Sequence, residues 1–220
     1  KLIIENGLGL EAWISRFTKS AGSIPKVKLT DGLTPLLIDG DVYAGKPNPH
    51  AWMSPKKAIY YVDKIVDAFI EIDPGGSDEY RSNALIYKAK LEALDKELRD
   101  SLALIPKNRR FLVTCEGAFS YLASDYGMKE AYLWPVNAES QVTPKRMVNL
   151  IGIIKENDVP TIFCESTVSA KAQMEVARSS GASFGGTFYV DSLSEQDGPA
   201  PTYIDLLRHN VRLITQGLIP

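Results

Sequence analysis

One histidine and three carboxylates in this sequence have the types and settings to do chemistry together. His50, one of only two histidines, stands in KPNPHAWMSP (46–55), boxed by Pro47, Pro49, Trp52 and Pro55. Each proline fixes its own φ and biases the residue before it away from the helical region, so the imidazole is held with little freedom. Glu116 follows the apolar run FLVTC, Glu165 follows TIFC and Asp191 follows TFYV, each the first ionisable residue after a strand-like stretch. An isolated buried carboxylate is strongly disfavoured unless it is neutralised, paired or bound to a cation. Gathered at one place, these four groups would suit a divalent metal ion. The plainer reading of His50 is a residue that caps or packs at a loop-to-helix junction, and a single carboxylate at a strand end commonly just meets water.

Other chemistries fit less well. No nucleophile elbow of a Ser-His-Asp hydrolase is expected. Neither a Walker phosphate loop nor a G-x-G-x-x-G fingerprint occurs, and GASFGG (181–186) lacks the preceding strand and following helix that such a loop needs. The carboxylate beside Cys115 disfavours a reactive thiolate there. His209, in LLRHNVRL, falls between apolar positions of a helix and reads as structural or solvent-facing.

The elements that must position the four groups can be read from periodicity. After an opening strand-like run and an Asn-Gly turn, Leu8 to Thr18 carries apolar residues at helical spacing, and PKVKLTDGLTPLLID reads as a short strand with loops. From Pro55, apolar residues recur at three- and four-residue steps (Ala58, Ile59, Val62, Ile65, Val66, Phe69), with Ser54 as N-cap and Pro55 in the first turn. His50 therefore lies just ahead of a helix start. DPGG (73–76) ends that helix, and Ser77 or Asp78 caps the next, which runs to about Leu104 with a stripe of Tyr80, Ala84, Tyr87, Leu91, Leu94, Leu98 and Leu102. At 1.5 Å per residue it would be roughly 40 Å long. Beyond it, strands in RRFLVTC, AYLWPV, VPTIFC and FGGTFYV alternate with helices near 143–157, 169–180 and 203–216. That alternation predicts an α/β fold with a mostly parallel sheet, whose ligands bind beyond the carboxyl ends of the strands.

Composition sets the outer bounds. The chain has 220 residues, 45% hydrophobic and 24% charged, with a formal net charge of −2, which gives no electrostatic reason to expect nucleic acid. Its longest apolar runs, such as LIGII (150–154), fall far short of the roughly 20 residues a membrane-spanning helix needs. Because chains seldom begin in mid-sheet, residues of the same domain are expected upstream of Lys1. The two cysteines, Cys115 and Cys164, end neighbouring apolar segments. A bridge between them would add at most roughly 4 kcal/mol by loop entropy, whereas a reducing compartment would leave two buried thiols. Both readings stand on the residues alone.

Several of these stretches together resemble one family, the manganese and zinc solute-binding receptors of bacterial ABC transporters (MntC-like and ZnuA-like). NGLGLEAWISRF looks like that family's N-G-x-x-L-E-x-W segment and NPHAWMSP like its D/N-P-H-x-W motif. VTCEGAFSYLASDYG, VPTIFCEST and FYVDSLS follow in the family's order, so the resemblance covers essentially the whole chain. It implies two α/β lobes with mostly parallel sheets joined by one long rigid helix: residues 1–76 as an N-terminal lobe, 77–105 as the connecting helix and 106–220 as a C-terminal lobe. It implies that His50, Glu116 and Asp191 are metal ligands, with Glu165 and Trp52 near the site. A fourth ligand, a histidine, is expected upstream of Lys1, since the family's P-H-x-Y/F-E-P motif does not occur here. A disulfide between Cys115 and Cys164 is likewise implied, as some manganese receptors pair cysteines at these positions.

The same resemblance implies a non-enzymatic, monomeric receptor in the periplasm, or lipid-anchored at the outer face of the cytoplasmic membrane, which delivers its metal to an ABC permease. A carboxylate-rich set suits Mn²⁺ better than Zn²⁺, which favours nitrogen and sulfur ligands. Zinc receptors of the family usually carry a histidine where Glu116 stands, and many have a His-rich loop that this chain lacks. Zn²⁺ is the alternative, being the stronger binder to most shared ligand sets. The remoter alternatives are a metal-dependent hydrolase with Glu165 as general base, and a surface adhesion module.

Overall fold

A computed structural model describes residues 1–14, 17, 24–39, 43–136 and 142–220. Two short strands, β1 (Ile3–Glu5) and β2 (Lys26–Lys28), pair in parallel with Ile3 opposite Lys26. Between them residues 8–13 run in turns, entered through Gly7 at φ +92°. Of the helix expected over Leu8 to Thr18, Ile14 and Phe17 are helical, and the other positions after 13 lie outside the described residues.

A single 3-10 turn, Ala51–Met53, leads into helix α1 (Pro55–Ile72). Ser54 is extended (φ −106°, ψ 120°) and its hydroxyl accepts the Lys57 N–H at 3.2 Å, so the expected N-cap forms, with Pro55 in the first helical position, where no N–H is needed. The long helix α2 spans Ser77–Ala103. Its start differs from expectation: a 3-10 turn, Pro74–Gly76, feeds directly into it, so Gly76 holds the cap position and neither Ser77 nor Asp78 caps with its side chain. Its stripe also differs. Ala84, Leu91, Leu94, Leu98 and Leu102 are buried, but Tyr87 is 37% exposed. The first half of α2 packs mainly against α1, joined by the Lys88–Asp63 ion pair and the Phe69–Tyr80 ring contact, so only one side of it is covered.

The second half alternates as expected: β3 (Phe111–Glu116), α3 (Ser120–Tyr126), β4 (Lys129–Trp134), α4 (Pro144–Glu156), β5 (Thr161–Glu165), α5 (Lys171–Ser180), β6 (Ser183–Phe188) and α6 (Tyr203–Leu218). β3 pairs with β4 and β5 with β6, both in parallel. Leu112 through Glu116 and all of β5 are buried, which is why these strands read as continuous apolar runs rather than alternating ones. The α/β fold with parallel pairing is thus as expected. β3 and β5 lie side by side, tied by a disulfide between Cys115 and Cys164 whose Cα atoms are 4.8 Å apart.

Two large apolar clusters flank β3 and β5. One gathers Leu94, Leu98, Leu102, Phe119, Phe163 and the inner face of α6, and it also takes in Met53 from the turn after His50. The other joins Val113, Cys115, Ile162 and Cys164 to α4 and α5. A small third cluster, Ala51, Tyr61 and Tyr121, packs the His50 turn and α1 against α3. The segments on either side of α2 therefore share core, and that shared packing carries the site.

Candidate metal centre

His50 opens the 3-10 turn before α1 and is 1% exposed. Glu116 ends β3 and Glu165 ends β5, both buried, and Asp191 follows three residues after β6. One ligand atom from each of His50, Glu116 and Asp191 lies within 4.8 Å of the other two. Residues 141 positions apart in sequence thus converge, on the carboxyl-end side of the strands where α/β sheets bind ligands.

The electrostatics of the cluster follow from burial. His50 Nε2 stands 3.6 Å from Glu116 Oε1. Desolvation pulls the His50 pKa down to about 3, so at neutral pH this is a neutral imidazole beside a carboxylate and not an ion pair. Glu165 accepts the Glu116 backbone N–H through Oε2 at 3.2 Å, while its Oε1 is buried without a partner among the described residues. Burial first, and the neighbouring Glu116 and Asp191 carboxylates after it, raise Glu165 well above the usual carboxylate range. Asp191 is exposed as a residue and borders an open cleft of about 540 Å³ lined also by Asn6, Trp52, Tyr61 and Tyr203. Desolvation of its carboxyl raises its pKa as well. Desolvated carboxyl groups at Glu165 and Asp191 that resist negative charge, set beside a neutral imidazole and the Glu116 side chain, make a pocket that a divalent cation would relieve.

Trp52 lies beside His50. Its ring centroid is 5.1 Å from that of His50, its Nε1–H donates to the Val190 carbonyl at 3.2 Å, and its own carbonyl accepts the Tyr203 hydroxyl at 2.5 Å. The cysteines are bonded to each other one residue before Glu116 and Glu165, fixing those two strand ends together. His209 is partly exposed on α6, with Nε2 at 3.0 Å from the Thr187 carbonyl, in keeping with a structural role. The GASFGG stretch also contains a formal Gly-x-Ser-x-Gly string (181–185). Ser183 opens β6 on an exposed position, and an elbow nucleophile requires a strand-to-helix turn, so no elbow forms there.

Residue-by-residue reading of the chemistry missed the polar side chains that hold the His50 loop. Asn6 donates from Nδ2 to the Pro49 carbonyl at 3.0 Å, and the Glu11 carboxylate accepts the Asn6 and Gly7 N–H groups at 2.6 and 3.0 Å. Asn48 Oδ1 accepts the His50 backbone N–H at 3.0 Å and lies 2.9 Å from His50 Nδ1. The signal was present in the NGLGLEAW and NPHAW motifs that contain these residues.

The family described as zinc-uptake complex component A, periplasmic, matches residues 1–217. The chain belongs to this family. Its members are the substrate-binding, metal-binding components of ABC transporters, and they are not themselves the catalytic subunits. Among curated relatives, the iron-binding protein YfeA of Yersinia pestis is 49% identical over 98% of this chain and 70% of its own length. The manganese-binding lipoprotein MntA of Halalkalibacterium halodurans is 32% identical over 97% of this chain and 70% of its own. Among solved structures, the Mn-bound periplasmic metal binding protein from Candidatus Liberibacter asiaticus superposes with a TM-score of 0.89 at 38% identity, covering 99% of this chain and 80% of that one. The periplasmic zinc binding protein TroA from Treponema pallidum superposes at 0.90 with 26% identity, covering 100% and 81%. The resemblance drawn from the motifs is the family membership, and relatives within it carry iron, manganese and zinc in their names.

Proposed function

We propose that this protein is an extracytoplasmic receptor that captures a divalent transition metal, Mn²⁺ first, through His50, Glu116 and Asp191, and hands it to an ABC permease. The observation that carries this reading is the convergence of one ligand atom from each of those three side chains to within 4.8 Å, two of the residues buried and Asp191 at the mouth of the cleft. His50 supplies the lone pair of a neutral imidazole, and Glu116 and Asp191 supply anionic oxygens. Two oxygens and one nitrogen form a hard donor set, which favours Mn²⁺ over Zn²⁺ on ligand type although not on the general affinity order. The metal is cargo, bound and released without a bond being broken in any substrate, so the receptor is not an enzyme. Glu165 is the group a hydrolase would use as base. Its carboxyl accepts the Glu116 N–H, and burial raises its pKa well above the usual carboxylate range, which supports a bracing part for it.

The lobes are residues 1–76 and 106–220, with 77–105 as the strut between them, and the receptor acts as a monomer in the periplasm or on the outer face of the membrane. The partners are the metal ion and the permease. The test is calorimetric titration of Mn²⁺ into metal-stripped natural full-length protein, followed by competition with Zn²⁺ and Fe²⁺. Submicromolar Mn²⁺ binding that is lost in Glu116→Ala and in Asp191→Ala, with unchanged thermal unfolding of the metal-free variants, is the expected outcome. Tight Zn²⁺ binding with no Mn²⁺ binding would reassign the cargo, and near-wild-type affinity in either variant would remove that residue from the site.

A further inference from the structure

We infer that Asn48 is a positioning residue for the metal centre: its carboxamide fixes the tautomer of His50 and locks the two ligand-bearing segments of His50 and Glu116 to each other. The inference deepens the receptor reading and rests on it for its consequence, though not for its chemistry.

Asn48 is 2% exposed, and all of its side-chain contacts are fixed in kind. Its Nδ2 lies 2.7 Å from the carbonyl oxygen of Gly117 and 3.1 Å from Ser120 Oγ. A backbone carbonyl only accepts, so the atom facing it must be the amide nitrogen. Turning the amide over would set its oxygen against the Gly117 oxygen and its nitrogen against the His50 backbone N–H, a clash of like partners at both ends. With Oδ1 thereby assigned to the His50 side, the ring atom 2.9 Å away must be a donor. A neutral imidazole carries one N–H, and here it sits on Nδ1. The lone pair is then on Nε2, the nitrogen that faces Glu116. The Gly117 carbonyl thus sets the His50 tautomer through the Asn48 amide.

The other end of the amide is braced in turn. Ser120 opens α3 and its hydroxyl donates to Glu130 Oε1, which directs an oxygen lone pair back toward the Asn48 Nδ2–H. Tyr121, the next residue, donates its hydroxyl to the Asn48 backbone carbonyl at 2.8 Å. Gly117 directly follows the ligand Glu116, and its N–H is held by the Trp134 and Pro135 carbonyls at 3.0 Å each. A Cβ on Gly117 would lie 2.7 Å from the Pro135 oxygen, so the strand end reaches Asn48 only as glycine. One side chain thus spans two ligand segments 69 residues apart and presents one of them with a defined lone pair. Outer-shell partners of this kind typically change metal affinity about 10- to 100-fold when removed.

The test reads both halves separately in natural full-length protein. Imidazole ¹⁵N shifts of metal-free wild type at neutral pH are expected to show His50 as the Nδ1–H form, and Asn48→Ala is expected to lose that single form. Mn²⁺ affinity of folded Asn48→Ala is expected to fall about 10- to 100-fold, alongside some loss of stability from the hydrogen bonds removed. Asn48→Asp keeps an acceptor for Nδ1–H but sets an oxygen against the Gly117 carbonyl, so it is expected to keep the tautomer while leaving Mn²⁺ affinity below wild type. If Asn48→Ala does not fold, Ser120→Ala removes the brace alone and should weaken Mn²⁺ binding by a smaller factor. An Nε2–H signal in wild type, or the same tautomer and an affinity within twofold in Asn48→Ala, would overturn the inference. Wild type that binds no metal would instead remove the receptor reading, while the ¹⁵N result on the metal-free protein still judges the part given to Asn48.

Discussion

Glu130, which braces Ser120 through Oε1, leaves its Oε2 buried with no partner among the described residues. Burial first, and then the Asp39 carboxylate, push its pKa up to about 7, against the pull of the Ser120 hydrogen bond. The ordinary value is 4.5, so between that and about 7 the native state holds more of this proton than the unfolded chain. The stability this group contributes is complete below the ordinary value and is lost as the pH rises through about 7. Urea midpoints are expected to show that decline in wild type, and Glu130→Gln is expected to flatten it and to be the more stable form at pH 8 by about 1 kcal/mol or more. Parallel profiles for the two proteins would show that the group titrates normally. His50 has the opposite sign: its pKa falls to about 3, so burying it neutral favours folding at neutral pH, and that contribution is lost as the pH drops below its ordinary 6.5.

At the scale of elements, β3 and β5 carry the two glutamates and the Cys115–Cys164 bond, which closes a separation of 49 residues. Replacing both cysteines by alanine is expected to lower stability by up to about 4 kcal/mol in urea unfolding. It is also expected to weaken Mn²⁺ binding, because the Glu165 contact to the Glu116 N–H depends on the two strand ends staying together. Unchanged affinity in the double variant would separate the bridge from the site. These strands were legible in the sequence because both are buried on two faces and read as unbroken apolar runs, and α1 was legible because Ser54 and Pro55 mark its start. His50 stood out because histidine is scarce in this chain and prolines box it, and Glu116, Glu165 and Asp191 because three apolar runs each end on a carboxylate. The cysteines were ambiguous until family likeness was considered, since strand-end spacing suits a bridge and two thiols alike. Helix α3 was not read, being seven residues long and too short to show a period. Asn48 escaped because an amide's task is set by partners far along the chain, Gly117 and Ser120, which local pattern does not reveal. Tyr87 was misassigned because a stripe on a long helix shows which side is apolar, not how far along a second layer covers it.

Across the whole molecule, the packing does not divide cleanly at α2. Met53 shares a cluster with Leu94, Leu98 and Phe119, and Tyr61 of α1 packs with Tyr121 of α3. With α2 about 40 Å long and buried along its second half, the two proposed lobes are wedged against each other on a common strut. Trp52 sits at that junction, its ring on His50 and its indole N–H on Val190 beyond β6. The chain has three tryptophans: Trp13 is 60% exposed near the opening turns, whereas Trp134 is buried at the end of β4 directly opposite Glu116 and is a second reporter on the site. The molecule thus carries its own optical gauge. Paramagnetic Mn²⁺ beside His50 is expected to quench Trp52 emission in proportion to occupancy, whereas closed-shell Zn²⁺ would leave it nearly as bright. Trp52→Phe would remove its share of the signal and leave that of Trp134 opposite Glu116, so a fluorimeter alone would tell which of the two ions the receptor has picked up.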